Sequence, residues 1–107
     1  MTTLHIHAQN PTFYLVIIAL GLLDAIKLGA IPLEAGIWTL RKPAIYDAIQ
    51  PYCPAELHDI IDNFDELDAL FQLSPDKLHP TLDNLIARLH TLLIEYREEY
   101  DLDLTIN

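Results

Sequence analysis

Cysteine, serine, glycine and cationic side chains are all scarce in this chain, and each scarcity excludes something. Cys53 is the one cysteine in 107 residues, so no intrachain disulfide can form and no cysteine-rich zinc module exists. That usage fits a reducing compartment. Ser74 is the one serine, and its place before Pro75 reads as a helix opener, which leaves no serine nucleophile motif. The three glycines stand apart from one another, so there is no phosphate-cradling loop. Lys and Arg together number six, too few for a nucleic-acid surface. The apolar run from Phe13 to Leu23 stops at Asp24, short of the ~20 residues that cross a bilayer. No Lys or Arg precedes it, so the cationic start of a signal peptide is missing. These absences lead us to expect a cytoplasmic protein with neither a nucleic acid nor a membrane as partner.

What the chain has in excess is negative charge. The formal charge is −10, and it is unevenly placed. Residues 1–53 are balanced, with Asp24, Glu34 and Asp47 against Lys27, Arg41 and Lys42. Residues 54–107 carry thirteen acids against Lys77, Arg88 and Arg97. That half repels polyanions and attracts basic proteins. It also exceeds the net charge of magnitude ~2–8 usual for a small soluble domain. Hydrophobic residues make up 51%, enough for a core in a chain whose length suits one domain.

Helix punctuation organises the chain. Asn10-Pro11 reads as a cap followed by the first helical residue, with the helix running to about Leu28 and Gly29 as its left-handed stop. "IPLEAGIWTLRK" is a short second helix between Pro32 and Pro43, and "PAIYDAIQ" a third, closed by Pro51 and Pro54. From Pro54 onward Leu57, Ile60, Ile61, Phe64, Leu67 and Phe71 share one helical face, but Asp68 would land on it too. A break near Asn63 to Asp65 resolves that conflict, with Asn63 or Asp65 capping the next helix and Asp65 and Asp68 spaced as a capping box. Leu82, Leu85, Ile86, Leu89, Leu92, Leu93 and Tyr96 mark the clearest amphipathic helix, over 80–97. Both ends, "TLHIHA" and "DLTIN", alternate apolar and polar. They either pair as short strands or fray, and fraying is the expectation. The fold class is thus all-α, a compact single-domain bundle of about five to seven helices that ends in a long amphipathic one.

No constellation of side chains specifies a reaction. His5-x-His7, His58 with Asp62, and His79 with Asp83 are pairs without the third ligand that zinc requires. The run "DIIDNFDELDAL" has no central glycine and puts Ile, Phe and Leu where a calcium loop needs oxygen ligands. Its acids fall on exposed faces rather than in the buried setting of an acid–base pair. We expect no enzyme, no cofactor and no metal. Asp59, Asp62, Asp65, Glu66 and Asp68, with Glu98, Glu99 and Tyr100, are instead read as a partner-binding surface. Phe64, Phe71, Tyr96 and Tyr100 are its candidate anchors, although Phe64 and Phe71 read first as core residues.

The segment "IALGLLDAIKLGAIPLEAGIWTLRKPAIYDAI" resembles the opening of a family of small, acidic, all-helical bacterial proteins, mostly uncharacterised. The pattern comprises Leu20-Gly21 inside an apolar helix, a stop at Lys27 and Gly29, and a short helix from Pro32-Leu33-Glu34. An acidic middle like Asp65 to Leu70 and a final amphipathic helix like 80–97 follow. Pro32 stands where the pattern has a serine cap, and Gly36 where it has an acid or alanine. Size, acidity and helical content also resemble immunity proteins of contact-dependent growth inhibition and related toxin systems. That resemblance implies a cytoplasmic antitoxin that binds the C-terminal domain of a cognate toxin, often a basic nuclease, and covers its active site. The alternative is a helical interaction or structural domain, such as a homodimer formed through the first helix.

Overall fold

Prolines, rather than capping side chains, open the first four helices. The structure, a computed structural model, describes residues 1–7, 11–100 and 103–107. In order these form β1 (Leu4–His7), α1 (Thr12–Lys27), α2 (Leu33–Arg41), α3 (Pro43–Ile49), α4 (Ala55–Asp62), α5 (Phe64–Leu73), α6 (Leu78–Glu95) and β2 (Asp103–Ile106), with short 3-10 turns at Gln50–Tyr52 and Pro75–Lys77. Pro11, Pro32 and Pro54 occupy the N-cap positions of α1, α2 and α4, and Pro43 starts α3. None of these helices has a side-chain capping bond at its start. A proline's fixed φ sets the chain's entry, and its missing N–H would have been unsatisfied there in any case. Asn10, the expected cap of α1, lies outside the described residues. Ser74 makes no capping bond either.

Gly29 ends α1 as the sequence predicts. Its φ of +72° is left-handed, and the Gly29 N–H donates to Ile26 O while the Ala30 N–H donates to Ala25 O. That bond pair is a Schellman stop. The break between α4 and α5 falls at Asn63, but the expected caps are not formed. The Asn63 side chain donates backward to Asp59 O at 2.9 Å, closing α4, and the Asp65 carboxylate turns to Arg41.

The core is a single cluster. α1 gives it Val16, Ala19 and Leu23, and α6 gives Leu82, Leu85, Leu89 and Leu92; these two helices share the largest interface. Leu57, Ile60 and Ile61 of α4, Phe64 and Leu67 of α5, and Ile37 and Leu40 of α2 complete it. α3 buries nothing fully and lies on the surface. Gly36 explains its own departure from the family pattern: a Cβ there would lie 2.7 Å from Ile26 Cγ1, so α2 approaches α1 through glycine. No helix among the described residues is long and apolar enough to cross a membrane.

The chain ends pair instead of fraying. β1 and β2 are antiparallel, in register Leu4↔Ile106 to His7↔Asp103. Thr3 and Asn107 exchange both backbone hydrogen bonds beyond them, at 2.7 and 2.9 Å. The alternation that suggested strands puts Leu4, Ile6, Leu104 and Ile106 on one face of this ribbon and His5, His7 and Thr105 on the other.

Leu89 is fully buried. Leu89→Ala should therefore destabilise by about 2–4 kcal/mol in denaturant unfolding, and a loss under about 0.5 would mean the site collapses without leaving a cavity. Gly36→Ala should cost about 1–3 kcal/mol, because Ile26 must leave its rotamer to admit the methyl group.

Candidate functional site

Two arginines divide the acidic surface into a part that is used within the fold and a part that is not. Arg88, on α6, reaches α4: its Nε donates to Glu56 at 2.6 Å and its terminal nitrogen to Asp59 at 2.7 Å. Glu56 and Asp59 sit three apart and so present both carboxylates on one helical face to one guanidinium. The hydrogen bond from Arg88 holds the Glu56 carboxyl below its ordinary range, and the same contacts hold the charge on Arg88 more firmly than usual.

Arg41, at the end of α2, makes the second clamp. It bonds Asp65 at 3.0 Å and lies 3.6 Å from Asp62, spanning the α4–α5 break. Its guanidinium stacks over the Tyr46 ring at 4.4 Å, and its Nε is buried with no acceptor. The Tyr46 hydroxyl lies 2.7 Å from His58 Nε2 and donates to Asp62 Oδ1 at 3.2 Å. A hydroxyl has one proton, so donating to Asp62 requires His58 to present Nε2–H. Burial and the Asp62 charge push the Tyr46 phenol above its ordinary value. With Arg41, the cluster links α2, α3, α4 and α5 through polar contacts. Burial likewise pushes the Cys53 thiol up, away from the reactive thiolate.

The predicted surface residues therefore separate. Asp59, Asp62 and Asp65 belong to the clamps. Their side chains remain more than half exposed, and neutralising them removes ion pairs as well as repulsion. Among the described residues Glu66 has no ion-pair partner, and Asp68 accepts only from Gln72, at 3.3 and 3.4 Å. Glu98 is 3.7 Å from its neighbour Arg97, and Tyr100 is 65% exposed. Of the candidate anchors, Phe64 is wholly buried in the core and Tyr96 packs against it, whereas Phe71 is 57% exposed, contrary to its reading as a core residue. It shares the face of α5 that buries Phe64 and Leu67 but lies near the C-terminal end of that helix, beyond the core.

Phe71 stands in an open groove of about 630 Å³ that the sequence did not reveal. The end of α1 supplies Ile26 and Leu28, the start of α2 supplies Pro32 and Leu33, and Leu78 opens α6. Glu34 and Asp68 sit at its margin with Lys27 and His79. Lys27 is ion-paired to Asp83. Leu28 is 74% exposed, and its position between Lys27 and Gly29, at the very end of α1, was the available signal. Among the described residues no three His, Cys, Asp or Glu side chains converge to hold a metal ion. His5 and His7 stack on each other with centroids 6.1 Å apart.

A family model matches residues 7–105, a span that takes in all six α-helices, both clamps and the groove. The chain belongs to DUF3969, a protein family of unknown function. No curated protein and no solved structure matches it.

The lowered Glu56 carboxyl contributes stability above its unfolded pKa, and that contribution is lost as pH falls through the folded value. Arg88→Met should therefore lower the melting temperature at about pH 7. Its deficit relative to wild type should shrink as pH falls toward about 3, where carboxylates protonate. A deficit that stays constant across this range would assign Arg88's effect to the packing of its stem alone.

Proposed function

We propose that the protein is an immunity protein, a non-enzymatic antitoxin that binds the C-terminal domain of a cognate toxin in the cytoplasm and covers its active site. The toxin domain would be a basic nuclease, such as a ribonuclease of a contact-dependent growth inhibition system. The observation that carries this reading is the surplus of acid left after the arginine clamps are satisfied. Glu66, Asp68 and Glu99 have no cationic partner among the described residues, in a chain whose formal charge is −10. A fold that needed carboxylates only to bind its own arginines would need fewer. A nuclease must display a basic groove to hold phosphates, and an acidic surface is steered to it and competes with the substrate.

A second reading is a helical interaction domain that forms a homodimer. α1 buries Val16, Ala19 and Leu23 within one chain and leaves Ile17 exposed. The exposed apolar face of the terminal ribbon, with Leu104 and Ile106, is the surface that favours this reading.

The decisive experiment pairs the protein with the toxin domain encoded beside it. Glu66→Gln, Asp68→Asn and Glu99→Gln together should slow association at low salt by about tenfold and flatten its salt dependence, with an unchanged melting temperature. Association that is equal to wild type at every ionic strength would return these acids to the role of a solvated face. Absence of any complex in light scattering, with the protein itself a dimer, would favour the second reading.

A further inference from the structure

We infer, resting on the reading above, that the groove beside Phe71 seats a bulky aliphatic side chain of the partner, carried on a segment with cationic residues on either side. Three observations coincide there. Leu28 and Phe71 are both more than half exposed and line one open cleft. Glu34 and Asp68 flank that cleft and neither is held by an arginine, unlike the acids of α4. The one strong cation at the margin, Lys27, is turned to Asp83. The negative margin therefore faces an incoming segment uncompensated, and it selects cations over anions.

Size narrows the occupant further. About 630 Å³ of open groove is within the range that seats small apolar groups and is too small for a folded element. Aliphatic side chains of one short segment can enter it and pack on Leu28, Leu33, Phe71 and Leu78, the arrangement of an interface hot spot with charges at its edge. Glu34 and Asp68 then add steering and register to an affinity that comes from the apolar anchor.

The test uses the full-length protein and two blocked synthetic peptides of equal charge, one with a Leu-Leu pair between flanking arginines and the other with Ala-Ala. In an NMR titration at physiological ionic strength the leucine peptide should bind roughly tenfold more tightly, the factor that burying one leucyl side chain supplies. Shifts should centre on Leu28, Leu33 and Phe71. Phe71→Ala and Leu28→Ala, both at exposed positions, should erase the difference between the peptides. Glu34→Gln with Asp68→Asn should weaken both peptides alike. Equal binding of the two peptides, or shifts centred on Glu98 and Glu99, would overturn the groove as an anchor site, as would no binding of either. Such a failure with toxin inhibition intact would leave the immunity reading standing. Discrimination between the peptides without toxin inhibition would remove that reading and keep the groove.

Discussion

The arrangement depends on how α4 is held. Its apolar stripe, Leu57, Ile60 and Ile61, is wholly buried, while the acids on its other faces belong to the half of the chain that carries all the net charge. Burial alone would draw into contact helices that carry uncompensated like charge. Arg88 from α6 and Arg41 from α2 grip the acidic edges of α4 and the start of α5. Each guanidinium serves two carboxylates, and its planar fork suits that duty better than a lysine would. With those edges fixed, α4 can seat its stripe, and α5 follows it across the Asn63 break with Phe64 and Leu67 in the core.

This division of labour also says what an acidic composition can mean. The same residue type, a few positions apart on adjoining helices, acts as an internal tie at Asp59 and Asp65 and as free surface at Glu66. Net charge alone cannot separate these roles, because a tie and a free acid count equally in it. The remaining surplus is what a partner would meet, and it is concentrated in the second half of the chain.

Much of the architecture was legible because its signals are local. Gly29, the prolines, the stripe of α6 and the conflict over Asp68 each act within a few residues, and the corresponding helix ends and breaks appear in the fold. The caps were misread because Asn63 can bond backward as easily as forward, and it bonds backward to Asp59 O. The clamps were invisible because Arg88 finds Glu56 across 32 residues of sequence and no spacing rule reaches that far. Phe71 shares a face of α5 with the buried Phe64 and Leu67, and sequence spacing does not show that the core stops short of it. The groove combines residues from α1, α2, α5 and α6, so it exists only in three dimensions.

The pairing of the chain ends turns the molecule into a closed ring. A two-stranded ribbon is marginal by itself, and closing a loop of nearly the whole chain carries an entropic cost that rises with its length. β1 and β2 therefore depend on the helices to bring them together. The dependence also runs in reverse. Thr3 and Asn107 exchange backbone bonds beyond the two strands, so the ribbon ties the segment before α1 to the segment after α6, and separating those helices must stretch or open it.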